Sequence, residues 1–521
     1  MSIDAAPPGR PSFSALLFKL ECLPVFGLTV AVLFGSLFVK YIHDVDMYWQ
    51  LQFGEIIWQT KGLPAYEPFL HGKEAVPNVP ICWLSQVAFY GLWSLGGWPL
   101  LQIVEGAMWI GGYAAVAGAL RRRGAWGGPA ALALLYGYLP AYTFASIRPQ
   151  TFALLGFGLT MVLTWADLKL WKKLLVGAVL FVVWQNAHPS VLMAGAWLGP
   201  MTIGALVRWL RRAPAARGPW PWDLVGLSAL AVAASLACPE PIATFRLARA
   251  NEEMSKYLTV SEWMPLLWDA LPWQARFGLE QRGSALLALA ILPMLFAFRG
   301  GRMKAEEVIT ALLLAGLTWQ MYRFSVFLGF SLIPIAYRAL TPPAGGPAPP
   351  PRVRSWRAIL AVAFVLAIGL GLGRFAIAEW SAPERTPLDP HLDYFPFEAV
   401  ARMKDAVPPG TVYCDFFWGG VAVRAGYPRW RVSHDGRYYH FSQDEWDWYF
   451  ASMEQQQVGT HRVSPADIVT AYRPVAFLLR AGHDEGLIAK LDESGSGWRR
   501  LADGAGRTAF DRGQAVVFVP R

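Results

Sequence analysis

Apolar runs long enough to cross a bilayer recur from Leu20 to Trp380 and then stop. About 20 such residues span the hydrocarbon, where each backbone polar group must be satisfied inside a helix or a closed barrel. This recurrence excludes a disordered chain and a disulfide scaffold, and it argues against an ordinary cytosolic enzyme. Composition agrees: 16% of the 521 residues are charged and 55% are hydrophobic, whereas soluble domains carry about 25% charge. The 14% aromatic content, with 25 Trp, suits a chain that meets many membrane–water interfaces.

The apolar pattern predicts eleven membrane helices, at 20–40, 86–118, 126–145, 150–168, 173–187, 190–209, 222–238, 284–298, 307–321, 324–338 and 358–378. Basic clusters test that count. They fall at Arg121–Arg123, at Lys169, Lys172 and Lys173, at Arg208, Arg211, Arg212 and Arg217, at Arg299, Arg302 and Lys304, and at Arg338 with Arg352, Arg354 and Arg357. Each follows an even-numbered crossing, so the positive-inside rule puts the N-terminus in the cytoplasm and the C-terminus outside. The first run is too long for a signal peptide and lacks a small-residue cleavage site, so it reads as a retained span. The net charge of +9 then reflects cytoplasmic anchoring, and no basic face interleaved with aromatics suggests nucleic acid.

This topology divides the chain into a transmembrane domain, 1–378, with outside loops at 41–85 and 239–283, and an extracytoplasmic α/β domain, 379–521. The tract TPPAGGPAPPPRVR (341–354) reads as a cytoplasmic linker. Short strands are expected at TVYC (411–414), VAFLL (475–479) and AVVFV (515–519), and helices at 397–405, 443–456 and 484–492. Cys22, Cys82, Cys238 and Cys414 are dispersed and make no C-x-x-C pair, so they support neither a metal site nor a disulfide framework.

Chemistry-bearing residues gather at the outer ends of the spans. Asp44 and Asp46 sit at the end of the first span, and the apolar spacing Met47, Leu51, Gly54, Ile57 and Trp58 predicts a helix along the membrane surface. Asp46 is placed to cap it, which leaves Asp44 without a structural duty. Glu67, His71 and Glu74 weigh more as loop residues than as site residues. Arg148 in ASIRPQTF, His188 in WQNAHPS and Arg323 in WQMYRFSVF fall at three outer turns, and Glu262 in SEWMP offers a second carboxylate region that could face the first across a cleft. Arginines in such positions require an anionic partner or a wet surface, and they suit a phosphate. Asp435 and Arg437 in SHDGRYYHF either bind an acceptor or form a structural Asp–Arg turn.

The segments DVDMYWQLQFGEII (44–57), LPAYEPF (63–69), WLSQVAFYGLWSLGG (83–97), IRPQTF, WQNAHPS, SEWMP, YRFSVF, FPFEAV (395–400), WGG (418–420) and HDGR (434–437) together resemble a large family of bacterial polytopic membrane proteins. Gln50 stands where that pattern often has His. The architecture resembles the type C glycosyltransferases, which take polyprenyl-phosphate sugars and place an acidic residue in the first outside loop.

The resemblance implies a multi-pass protein of the bacterial inner membrane that acts on the cell envelope. Its donor would be a polyprenyl-phosphate-linked sugar in contact with membrane lipids, and its acceptor an extracytoplasmic glycan, lipid or protein. Asp44 would be the base and Asp46 its neighbour, with Arg148, His188, Arg323 and Glu262 binding donor phosphate or substrate, and Asp435 and Arg437 binding the acceptor. Direct displacement would invert the anomeric centre. No cofactor is implied with certainty; a divalent ion such as Mg²⁺ or Mn²⁺ is one option at Asp44 and Asp46, which D-x-D alone does not establish. A lipid-linked saccharide flippase, or a noncatalytic subunit of an envelope assembly complex, is the alternative.

Overall fold

In a chain that crosses a bilayer repeatedly, helices pack one face on neighbouring helices and leave another apolar face outward, as Leu175, Val179, Ile203 and Val232 are exposed on the expected spans. The computed structural model describes residues 24–38, 44–124, 127–141, 144–267, 286, 288, 289, 291, 303–341, 395–454 and 457–521. Nine of the expected spans fall on helices among these residues: Pro24–Phe38, Trp83–Gly124, Gly127–Tyr138, Gln150–Trp165, Leu170–Ala187, Ala194–Arg211, Trp222–Ala234, Ala305–Gln320 and Ser325–Leu340. The expected spans at 284–298 and 358–378, the linker after Thr341 and the basic residues within these stretches lie outside the described residues, apart from 286, 288, 289 and 291. Three described helices, Trp83–Arg122, Val191–Arg211 and Tyr322–Leu340, are long and apolar enough to cross a membrane, and Val25–Leu37, Gln150–Trp165 and Trp222–Ala234 are shorter apolar helices.

The second expected span was too long for one crossing, and its helix is divided. Gly97 has φ 63°, a left-handed value that glycine adopts without strain, and Pro99 follows at the start of the next segment, where its missing N–H costs little. The segment before the kink packs against the Asp46–Thr60 helix. A Cβ at Gly54 would collide with the Gln86 carbonyl oxygen and lie 2.8 Å from Tyr90 Cβ. Gly54→Ala should therefore cost about 1–3 kcal/mol by overpacking, read as a lower melting temperature in detergent.

The ends of the bundle are chemically distinct. At one end Lys173 meets Asp223 at 2.9 Å, Arg208 meets Glu306 at 2.6 Å, and Arg338 grips Glu307 with two bonds of 2.8 Å. Arg338 and Arg323 lie at opposite ends of the Ser325–Leu340 helix, whose 16 residues are roughly 24 Å long at 1.5 Å per residue. Likewise Lys173 opens the helix that His188 follows. Arg323 and His188 thus share the end away from these ion pairs.

The C-terminal region is an α/β sheet in the order β2-β1-β3-β5-β4, with β1 Gly410–Cys414, β2 Trp430–Val432, β3 Pro474–Arg480, β4 Trp498–Arg500 and β5 Ala515–Pro520. The first three strands are parallel, and β3–β5 and β5–β4 are antiparallel. The expected strands correspond to β1, β3 and β5. β2, β4 and the helix Phe416–Gly426 are additions. The first outside loop completes the sheet edge: Val432 N–H donates to Phe69 O at 2.9 Å, and His71 N–H donates to Val432 O at 3.0 Å. Tyr48, Trp49, Phe53, Phe69 and Leu70 share one apolar cluster with Val412, Trp430 and Phe477. The Asp46–Thr60 helix is accordingly buried from Met47 to Gly54 rather than lying on a surface with one wet face.

Candidate active site

The two aspartates of the first loop differ by their place at a helix start. Asp46 is the first helical residue, and Asp44 makes the turn before it, its Oδ1 accepting Asp46 N–H at 2.9 Å. The expected capping role thus belongs to Asp44. Asp44 Oδ2 accepts from Arg148 Nε and from Ser146 Oγ at 3.3 Å, and the side chain has no exposed surface. Asp46 accepts Trp49 Nε1–H at 3.0 Å and lines an open cleft.

That cleft, of about 170 Å³, brings together residues that the sequence scatters over some four hundred positions. Asp46, Arg148, His188, Glu262, Arg323 and Arg437 all line it, as do Gln50 and Trp263. Asp44 lies behind Arg148 and is not on its wall. Arg148 bridges the two carboxylate regions, donating from Nη1 to Glu262 Oε2 at 3.0 Å. The Arg323 guanidinium stacks 3.9 Å from the centroid of Trp263 and, among the described residues, makes no hydrogen bond or ion pair.

Electrostatics sets the protonation of the cleft. Burial, with repulsion from Asp435 and Glu262, pushes the Asp46 carboxyl up to about 7, against the Trp49 hydrogen bond and Arg437. Burial works against the Glu262 charge too, but Arg148 and Arg323 outweigh it and hold that carboxyl below its usual range. Burial, aided by the Arg323 charge, pushes His188 down to about 3, so its ring is neutral; Nδ1 lies 2.7 Å from Ser190 Oγ. The cleft therefore holds one ionised acid, one acid poised near neutral pH, and a neutral imidazole.

Asp435 and Arg437 are engaged in a buried network. Arg437 donates to Glu67 at 2.6 and 2.8 Å and to Asp435 at 2.6, 3.0 and 3.1 Å, with the rings of Trp49, Phe53 and Phe69 packed 5.3–5.4 Å from its guanidinium carbon. All three charged side chains are at most 1% exposed. Glu67 also accepts the Phe69 and Leu70 N–H groups at 2.8 and 3.2 Å, which fixes the first loop. Sequence reasoning gave Glu67 a loop role; its place in EPF, two residues before Phe69, was the available signal. Gln50 was also passed over: its Oε1 is buried, has no hydrogen-bond partner among the described residues and belongs to a residue on the cleft wall.

In the D-x-D pair, Asp44 is already engaged by protein donors: both of its oxygens accept, and a guanidinium occupies the space between Asp44 and Glu262. Among the described residues the one group of three or more metal-type side chains is elsewhere, at Asp415, His483 and Asp484.

No protein-family model matches the chain, and no curated protein matches its sequence. Its fold is similar to solved structures. The Archaeoglobus fulgidus oligosaccharyltransferase in the apo form matches with TM-score 0.53 and 11% identity, over 90% of this chain and 69% of that one. ArnT from Cupriavidus metallidurans, both apo and bound to undecaprenyl phosphate, matches with TM-score 0.51 and 14% identity, over 96% of this chain and 97% of that one. The chain thus shares the fold of these structures, a polytopic, mostly α-helical membrane fold.

Proposed function

We propose that this protein transfers a sugar from a polyprenyl-phosphate donor to an extracytoplasmic glycan, lipid or protein, with Asp46 as the base. The observation that carries this reading is the presence, in one cleft, of a carboxyl poised near 7 and an arginine that, among the described residues, makes no hydrogen bond or ion pair. Displacement at a phosphate-activated sugar carbon needs both: a base for the acceptor proton and a cation for the leaving phosphate. The ArnT structure bound to undecaprenyl phosphate is consistent with a lipid-phosphate ligand for this fold. The base role moves from Asp44 to Asp46 because Asp44 is buried and saturated by donors, whereas Asp46 faces the cleft.

In this mechanism Arg323 holds the donor phosphate, and Gln50 Oε1 offers an acceptor for a sugar hydroxyl. The Asp46 carboxylate takes the proton of the acceptor nucleophile as its lone pair attacks the anomeric carbon. The carbon–oxygen bond to phosphate breaks, and polyprenyl phosphate leaves with the electron pair. A single displacement inverts the anomeric centre. Arg148 keeps Glu262 ionised and Asp44 in place. The cleft lies at the end of the bundle away from the basic clusters, which supports an extracytoplasmic site and a cytoplasmic N-terminus.

The test supplies labelled lipid-linked donors and candidate acceptors to the purified protein. Wild type should yield a glycosylated acceptor, and Arg323→Ala should raise the KM for donor roughly 10- to 150-fold, since a hydrogen bond to a charged group contributes about 1.5–3 kcal/mol. Movement of intact donor across vesicles, with no covalent change, would replace this reading by the flippase.

A further inference from the structure

We propose that Asp415, His483 and Asp484 form a binding site for one divalent cation of the imidazole-and-carboxylate class, Zn²⁺ or Mn²⁺, separate from the cleft. Asp415 directly follows β1, and His483 and Asp484 follow β3, its parallel neighbour. The cluster therefore sits beyond the carboxyl ends of two adjacent parallel strands. β1 leads through the Phe416–Gly426 helix to β2 on one side, and β3 lies on the other. Chain connections diverge there, and α/β sheets characteristically bind ligands in that crevice.

The side chains are arranged for a missing partner. Asp415 is fully buried; Oδ1 accepts Phe417 N–H at 2.8 Å, while Oδ2 is buried with no hydrogen-bond partner among the described residues. Asp484 is also fully buried. Its Oδ2 accepts Arg480 N–H at 2.7 Å, and although it precedes the Glu485–Asp492 helix, its carboxylate makes no capping bond there. Oδ1 instead turns to His483 Nδ1 at 2.9 Å, and that nitrogen lies 3.5 Å from Asp415 Oδ2.

Each of the three residues offers a ligand atom, all within 4.8 Å of one another. Tetrahedral ligands about 2.1 Å from zinc are about 3.4 Å apart, and the two distances at Nδ1 bracket that value. Two carboxylates and one imidazole suit Zn²⁺ or Mn²⁺ better than Ca²⁺, which takes six to eight oxygens. His483 is half exposed, giving the ion an access route and leaving a coordination position toward solvent.

The test uses the full chain in detergent, stripped by chelator and titrated with Zn²⁺ alone, then with Mn²⁺ and Mg²⁺. One Zn²⁺ per chain by elemental analysis and calorimetry, with a higher melting temperature, is expected. His483→Ala and His483→Gln should each weaken binding at least 10-fold, and Asp415→Asn should do the same while keeping its bond to Phe417 N–H. Asp46→Asn should bind Zn²⁺ as wild type does. No Zn²⁺ bound by wild type, equal binding by the His483 variants, or loss in Asp46→Asn would each overturn the site.

Discussion

Asp46→Asn should reduce sugar transfer by about 10²- to 10⁴-fold, the usual range for losing a positioned general base, while the protein stays folded and membrane-inserted. The asparagine keeps an oxygen for the Trp49 Nε1–H bond and loses the charge that Asp435 and Glu262 repel. Its melting temperature should equal or exceed that of wild type. The base acts only when deprotonated, so in wild type kcat/KM should rise with pH, reach half its limit near 7, and then level. That acid limb should vanish from the residual activity of Asp46→Asn. Asp44→Asn should behave differently, because it releases Arg148 from a buried partner and lowers stability and transfer together. An active Asp46→Asn beside a folded, inactive Asp44→Asn would return the base role to Asp44.

Arg437→Leu should destabilise the protein by about 3–5 kcal/mol. It removes the guanidinium that, among the described residues, pairs with both Glu67 and Asp435, and neither carboxylate has exposed surface to hydrate it. It also removes the stacking of Trp49, Phe53 and Phe69 on the guanidinium. Thermal unfolding in detergent measures the loss, and protease cleavage in the first loop, 62–82, should become faster as Glu67 loses its partner. Adding Glu67→Gln and Asp435→Asn to Arg437→Leu should recover part of the stability, because the penalty lies chiefly in the stranded charges. Equal stability of Arg437→Leu and wild type would refute the network's role.

The membrane helices were legible because a bilayer admits few solutions: the apolar runs at 150–168 and 324–338 fall on the helices Gln150–Trp165 and Ser325–Leu340 almost residue for residue. Convergence of Arg148, His188, Glu262 and Arg323 was legible as recurrence at the outer ends of separate spans. The division of labour between Asp44 and Asp46 was not. Two residues apart at a helix start, they point one into the protein and one into the cleft, and only the helix's exact first residue decides which. Glu67 was opaque because its partner lies 370 positions away. The Phe416–Gly426 helix was not legible because its Gly419–Gly420 pair, a poor helix-forming signal, serves close approach: a Cβ at Gly420 would lie 2.9 Å from Val45 O.

The cleft's wall includes Gly436, Arg437, Tyr438 and Tyr439, whereas its base candidate is residue 46. A ribosome adding about 5–20 residues per second needs roughly 20–80 s to travel between them. Throughout that interval Asp46 is already inserted beside the lipids while one side of its chamber has not been made. Partly synthesised chains therefore carry the acid without the enclosure, and competence arrives late, when the final quarter docks on the first loop.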